Sequence, residues 1–560
     1  MWPPVVCGRS AFLSSWMKRK GCRNRNCEET SMKHCNRSHS VRSSATEQTR
    51  NFAHTSTNVT SIWSPRVVFG GDRNELVARE GTVEINNKTG VIQACFPGET
   101  LGEAQRRVQL DGNNAHFLDL SLRHYSFPSL CLSPGLIDVH THISTLGRNW
   151  EGYTSATQAA AAGGITTTIG MPLNSLPPTI SVDVVEKELN AARESRLYVD
   201  VGLWGGVLPQ TAFEDDQLRA LLNHPNILGL KAFLSPLPSN AGYQAISAEQ
   251  LLHVARICGT FQKPILVHCE LMTPVGIDQA LQSAYPNDGS LDDCHDAHVR
   301  SRPTKWEQDA VELVINASQY CNMHIVHLSD ALGCLPLIEK AKETVSGKQQ
   351  QRPRLTVETC PHYLLLDTDK VQDGDTRIKC FPPIRGPEQR KALWKGLETG
   401  LIDMVASDHS PCEPSMRQKA MRDAWGGLAG LQYQLPATWT AAQQMTNIGF
   451  TEVHLAKWWS QNPAKLAGLP DRGTIKPGKK ADLVVWDTTY IDKPDMYSNE
   501  HHRWKGDCYY SSQQLHGRVL ETWLGGKQIY DGSKDHFLSH SGGYIECINF
   551  KESFDHLAKK

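Results

Sequence analysis

His140 and His142 stand two residues apart at the end of an apolar run, Pro134-Gly-Leu-Ile-Asp-Val-His-Thr-His142. Leu136, Ile137 and Val139 read as a buried strand, and alternate strand residues share a face, so both imidazoles project together. Two imidazoles at a strand end are half of a metal site; the competing reading is a pair of core histidines stacked on one face. Four further apolar runs end on related chemistry. Ile227-Leu-Gly-Leu-Lys231 ends on a lysine, Ile265-Leu-Val-His268 and His324-Ile-Val-His327 on histidines, and Asp403-Met-Val-Ala-Ser-Asp408 on an aspartate. Imidazole and carboxylate suit zinc and similar divalent ions, whereas an ammonium has no lone pair to offer. A buried lysine beside cations loses its proton, and its amine can then take up carbon dioxide. The resulting carbamate has two oxygens and can bridge two ions roughly 3.5–4 Å apart, the spacing of two-metal hydrolytic sites. A hydroxide between such ions is nucleophilic at neutral pH, and a free oxygen of Asp408 can hand the proton of the attacking water to a leaving nitrogen.

These groups act together only if the fold brings the strand ends to one place. Candidate strands follow the first at Thr166–Ile169, Val199–Trp204, Ile227–Lys231, Pro264–His268, His324–Leu328, Arg354–Glu358 and Met404–Ala406. Helical stretches such as Trp150–Ala162, Val182–Ser195, Ala248–Cys258 and Thr304–Gln319 alternate with them. Strand–helix alternation means parallel strands with crossover helices, and closing eight of them gives a (β/α)8 TIM-type barrel over residues 134–470, whose C-terminal face is where reactive groups collect. Short strands and turns over 64–133, beginning with Arg66-Val-Val-Phe69, and again over 471–535, including Leu515–Leu524 and Lys527–Tyr530 around Gly525-Gly526, predict a small β-sandwich built from the two flanks. Residues 536–560 are a C-terminal tail.

Residues 1–63 differ from the rest. They are rich in Arg, Lys and Ser and poor in acids, and the expectation is an organelle-targeting leader, a disordered extension or a start placed too far upstream. Cys22, Cys27, Cys35 and His39 have a loose zinc-knuckle spacing but no apolar residues to pack around an ion. Across the 560 residues 39% are hydrophobic, 21% are charged and the net charge is −1, which argues against nucleic acid or an anionic membrane as partner. No window of about twenty apolar residues suggests a span. The sixteen cysteines are scattered and no secretory signal precedes them, so reduced thiols in an intracellular compartment are expected, mitochondrial if the leader is a transit peptide and otherwise peroxisomal or cytosolic.

The ordered series of motifs resembles the amidohydrolase superfamily, and within it the cyclic amidohydrolases, most closely the allantoinase family. The resemblance runs from about residue 64 to 532. It rests on His-Thr-His at 140–142, Gly147-Arg148 with Trp150-Glu151-Gly152, and Met171-Pro-Leu-Asn174 with Pro177-Pro-Thr179. It continues through Lys231-Ala-Phe-Leu-Ser235, Val267-His-Cys-Glu270, His324-Ile-Val-His327-Leu-Ser329, Glu358-Thr-Cys-Pro-His-Tyr363 and Ser407-Asp-His-Ser-Pro-Cys412. The resemblance implies two divalent ions, zinc foremost, bridged by carboxylated Lys231 (N6-carboxylysine). His140, His142 and Asp408 would hold one ion, and His268 and His327 the other. His327 is preferred to His324 because the family's ligand directly precedes an aliphatic-Ser step, here Leu328-Ser329. His324, three residues away and so on the other face, is left packed or behind the ligands.

The resemblance further implies hydrolysis of the ring amide of allantoin to allantoate, a step of purine and ureide breakdown, with Asp408 catalytic and a homotetramer as the assembly. Ser235 and Arg385 are the candidates for substrate binding, Arg385 at the end of the loop Lys379-Cys-Phe-Pro-Pro-Ile-Arg385. Pro236 stands where relatives acting on dihydropyrimidines and hydantoins resemble one another in a tyrosine, which favours allantoin over dihydropyrimidinase, hydantoinase or dihydroorotase substrates. A non-enzymatic scaffold of the same fold would have lost ligands that are intact here. Departures from the family pattern at Ser144-Thr145-Leu146, Gly170 and Asp330 bear on the substrate loops rather than on the ligands.

Overall fold

The computed structural model describes residues 58–545 except 73–74, 111–114, 144, 236–242, 347–354 and 493–499. The leader, its Cys22, Cys27, Cys35 and His39, and Pro236 lie outside the described residues. Eight parallel strands form the central sheet: β6 Leu136–Thr141, β7 Ile165–Gly170, β8 Asp200–Gly206, β9 Ile227–Phe233, β10 Ile265–His268, β11 Met323–Ile325, β12 Leu355–Thr359 and β13 Met404–Val405, neighbours in chain order. Their sequences are near-continuous apolar or β-branched runs, as in Ile165-Thr-Thr-Thr-Ile-Gly170, all of it buried, because each strand is covered on both faces. The sheet curls until its ends meet. Thr141 and His409 form a parallel bridge, the His142 N–H donates to His409 O at 2.8 Å, and the Ser407 N–H donates to Asp138 Oδ1 at 3.1 Å.

Two apolar shells hold this (β/α)8 TIM-type unit. Ile137, Val139, Ile169, Trp204, Leu228, Leu266 and Met404 pack together in one, and the Trp204 indole N–H donates to Val139 O at 2.8 Å, so its single polar group is satisfied. The other collects the crossover helices, including the alanine-rich helix Tyr153–Ala162 and the helix Ala248–Gly259. That second helix starts on a capping box, Ser247 accepting from Gln250 N–H while Gln250 reaches back to Ser247 N–H.

The flanks make one mixed sheet. It contains β1 Val59–Gly70, β2 Leu76–Asn86, β3 Val91–Pro97, β4 Ala115–Asp119, β5 Leu130–Pro134, β14 Leu483–Asp492, β15 Leu515–Leu524, β16 Lys527–Asp531 and β17 His536–Phe537. N- and C-terminal halves join where β5 runs antiparallel to β14, Pro134 opposite Leu483. β1 carries an irregularity between Ser64 and Val67; its first half pairs parallel with β4 and its second with β5. That break folds the sheet over its own core of Ile62, Phe69, Val83, Leu132, Val485 and Trp523. Connections between far strands consequently touch: the Ala481 N–H donates to Gly90 O at 2.9 Å, and a Cβ on Gly90 would lie 2.4 Å from Gly525 O. The first strand starts at Val59, before the Ser64 expected from sequence. Gly543 and Ile545, expected in a tail, bond to β8 through Val201. The eleven described cysteines are free thiols. No helix among the described residues is long and apolar enough to cross a membrane.

Candidate metal centre

The strand ends deliver their side chains to one cavity of about 340 Å³, lined among others by His140, His142, Phe233, His268, His327 and Asp408. His140 Nε2 and His142 Nε2 stand 3.2 Å and 3.3 Å from Asp408 Oδ1. The ligand atoms of these three residues all lie within 4.8 Å of one another. The His327 ring completes the group, 5.5 Å from that of His140 and 4.5 Å from that of His268. His268 stacks on Phe233 at 5.0 Å, and Lys231 Nζ sits 4.9 Å from the centre of the same Phe233 ring. His327 and Asp408 fall just beyond β11 and β13 with φ of 40° and 47°, and Asn174, on the cavity wall, has φ 64°.

Carboxylates behind the imidazoles decide which nitrogens face the cavity. Glu358, fully buried in β12, faces His140 Nδ1 at 2.5 Å through Oε1, which also accepts the His327 backbone N–H at 3.3 Å. Its Oε2 faces His324 Nε2 at 2.9 Å, while His324 Nδ1 lies 2.8 Å from Thr356 Oγ1. Both nitrogens of His324 are therefore committed, and this imidazole has no lone pair for an ion. Glu270 meets His268 Nε2 at 2.7 Å and is itself paired with Arg302, which leaves His268 Nδ1 as that ring's second nitrogen.

Electrostatics follow from burial and these neighbours. Burial pushes the Lys231 ammonium down to about 8, against the pull of Glu358 and Asp408. Burial would raise the Asp408 carboxyl, but His140, His142 and His327 outweigh it and hold it well below the usual carboxylate range. Asp138, wholly buried within β6, is pushed up to about 7 by burial, with Ser407 and the His140 N–H opposing. The donor set fits divalent ions: imidazoles, one ionised carboxylate, and an amine that is buried without a hydrogen-bond partner. His327 Nδ1 is likewise buried and unbonded. A polar atom in such a position is costly unless a further group meets it.

His140, His142, His268, His327 and Asp408 thus line one cavity, and Lys231 lies behind its wall, against the Phe233 ring. Ser235 and Arg385 are not among its lining residues. Ser235 Oγ accepts from Arg302 at 3.3 Å, and Arg385 is held by Ser329 Oγ, Glu307 and the Arg302 carbonyl. The loop that ends on Arg385 does reach the cavity through Lys379 and Phe381. Asp330 is held by Gln308, Gln389 and the Gly333 N–H. Sequence reasoning gave no role to Glu358 or Glu270; an acid two residues after His268 was the available signal for Glu270. A second trio, Glu500, His502 and Cys508, also has ligand atoms within 4.8 Å. There His502 Nδ1 faces Glu500 at 3.1 Å and Nε2 accepts the Gln432 N–H at 3.3 Å, so the ring has no free lone pair.

Histidines and a carboxylate gathered at the C-terminal mouth of a parallel barrel make this the metal centre of a hydrolase. The Amidohydrolase family profile matches residues 131–529, and the chain belongs to the amidohydrolase family. It is similar to a probable allantoinase of Oryza sativa subsp. japonica, 37% identical over 483 residues that cover 83% of this chain and 88% of the relative. An allantoinase of Arabidopsis thaliana is 38% identical over 423 residues, 72% of this chain and 78% of the relative. Among solved structures, an L-hydantoinase (dihydropyrimidinase) from Arthrobacter aurescens superposes with a TM-score of 0.70 at 25% identity, covering 87% of this chain and 99% of the other.

Proposed function

We propose that the chain is an allantoinase that opens the five-membered ring of allantoin by adding water across its amide bond to give allantoate. What carries the reading is the donor set of five cavity-lining residues and Lys231 beside them, in a chain 37–38% identical to proteins named allantoinase over most of its length. In this reading His140, His142 and Asp408 would hold one divalent ion and His268 and His327 the other, with Lys231, as its carbamate, serving as a ligand they share. Two such ions, zinc being the natural match to this donor set, supply Lewis acidity to the ring carbonyl and to the attacking water.

The residues themselves do the rest. Lys231, lowered to about 8, presents enough neutral amine near neutral pH to add to carbon dioxide, releasing one proton and forming an anionic carbamate. Asp408, ionised throughout the neutral range, accepts a proton from the attacking water and delivers it to the ring nitrogen as the carbon–nitrogen bond breaks. Phe233 backs His268, and Asn174, Phe381 and Trp425 wall the cavity around a flat heterocycle. A homotetramer, as the family resemblance implies, belongs to the same reading.

A colorimetric allantoate assay on purified, metal-loaded protein tests the substrate, run beside hydantoin, dihydrouracil and dihydroorotate. Release of allantoate at a kcat/KM well above that for the other rings is expected. Turnover of dihydrouracil or hydantoin with none of allantoin would replace this reading by the hydantoinase one, which the structural likeness to the Arthrobacter aurescens protein favours.

A further inference from the structure

Asp408 has φ +47°, a left-handed backbone that costs a residue with a Cβ roughly 1–2 kcal/mol and persists only where the surroundings over-determine it. The next residue, His409, is fully buried and shows how that is done. Its Nδ1 accepts the Gly430 N–H at 3.0 Å and lies 3.4 Å from the Leu431 N–H, so the ring proton is on Nε2. That Nε2 faces Glu151 Oε2 at 3.3 Å. One face of the ring is covered by His502, 5.2 Å away and inclined by only 22°.

A stretch between β14 and β15, the connection of two terminal-sheet strands, braces this arrangement from outside. His502 stacks on His409. The Arg503 backbone N–H donates to Glu151 Oε1 at 3.0 Å, and its guanidinium donates to Glu151 O at 3.3 Å. Asp507 stands 3.1 Å from Arg417 Nε, and Arg417 Nη2 donates to Ser410 O at 3.1 Å. Glu500 fixes the stretch from within, meeting His502 Nδ1 and accepting the Gly506 N–H at 2.8 Å. Asp408 is therefore bracketed: the ring that follows it is pressed by His502, and the carbonyl two residues on is tied through Arg417 to Asp507.

We infer that Glu500–Asp507 is a positioning element of the active site, with His502, Glu151 and Asp507 acting through His409 and Ser410 to keep Asp408 aimed at the cavity. The inference rests on the metal-dependent reading given above. It predicts that a connection between two strands of the terminal sheet controls the one carboxylate that must both hold an ion and move a proton.

The test uses the full chain, zinc-loaded, with three variants: His502→Ala, His502→Phe and Asp507→Ala. For His502→Ala, kcat should fall at least tenfold with KM for allantoin within about twofold. One of two zinc equivalents should become removable by a chelator at a tenfold lower concentration, while the other stays. The phenylalanine variant keeps a flat ring against His409 and should recover most of the loss, which a general destabilisation would not allow. Asp507→Ala should show the same pattern more weakly, and it decides the matter should His502→Ala fail to fold. Wild-type-like kcat and zinc retention in His502→Ala and Asp507→Ala would overturn the inference. So would equal loss of both equivalents with no recovery in His502→Phe. Wild-type protein that binds no zinc would instead sink the metal-dependent reading itself.

Discussion

Replacing Glu358 by glutamine changes one atom and should be felt at both halves of the centre. The carboxylate meets three donors: His140 Nδ1 at 2.5 Å, the His327 backbone N–H at 3.3 Å and His324 Nε2 at 2.9 Å. An amide keeps one acceptor oxygen and turns the other into a donor. His324 can adapt, because its far nitrogen faces the Thr356 hydroxyl, which can donate or accept. The oxygen then stays with His140, and what is lost is the negative charge. A hydrogen bond to a charged group contributes ~1.5–3 kcal/mol against ~1 for a neutral one, and partners behind a metal ligand typically govern a factor of about 10–100 in affinity. The expected result is a ten- to hundredfold weaker hold on zinc. Glu358→Ala should be worse still, since each of three buried donors left unpaired costs ~1–3 kcal/mol. The assay is competition with a chelator of known affinity, read by elemental analysis, with the unfolding midpoint of the metal-free protein as control. Retention of both equivalents by Glu358→Gln and Glu358→Ala at wild-type chelator concentrations would refute the reasoning.

Lys231→Ala should lose both metal equivalents rather than one, because its carbamate is the shared ligand; two equivalents of zinc by elemental analysis would remove the bridge. Asp408→Asn should lower kcat by about a hundredfold or more with a smaller change in KM, as general acid–base catalysis supplies roughly 10²–10⁴; steady-state kinetics showing undiminished kcat would take Asp408 out of proton transfer. Lys379, at the cavity wall, is pushed down from 10.5 to about 8 by burial, with Asp423 opposing. Its folded pKa is depressed, so the stability it contributes is present above 10.5 and is lost as pH falls through 8. The difference is at most ~3 kcal/mol, reduced by its bonds to the Arg422 and Ala424 carbonyls. Denaturant midpoints should therefore rise between pH 8 and 10 in wild type relative to Lys379→Met, and parallel pH curves for the two would contradict this.

The central sheet was legible because parallel strands buried on both faces announce themselves as short apolar runs, and because five of those runs lead into a polar group that a core has no use for. Thr166–Ile169 and Met404–Ala406 were placed from that pattern and appear as β7, longer by one residue at each end, and β13, shorter by one residue. The terminal sheet was legible only as a β unit. Nothing local marks that β1 pairs parallel with both β4 and β5, since such pairings are set by where the chain returns. The carboxylates behind the histidines were hidden for the same reason: Glu358 lies 218 residues from His140, and no spacing rule spans that distance. Arg385 was legible as a loop cation but not in its partners. A cation in a loop near the mouth suggested substrate binding, yet Ser329, Glu307 and the Arg302 carbonyl take up its donors.

Backbone strain locates the working face of the barrel without reference to any motif. Five described residues other than glycine have φ between 40° and 64°, and three of them, Asn174, His327 and Asp408, line the cavity. Asparagine, aspartate and histidine are the side chains that tolerate the left-handed region best. All three follow the end of a barrel strand: Asn174 after β7, His327 after β11, Asp408 after β13. An extended residue there would continue along the strand and alternate its side chain away from the axis. A left-handed step reverses the chain at once and swings the side chain back over the mouth. The strain is thus the geometric cost of aiming ligands inward from strands that point outward. It also explains why these exits are buttressed, by Glu358 of the neighbouring strand β12 on the His327 backbone and, from outside the barrel, by His502 on the ring that follows Asp408.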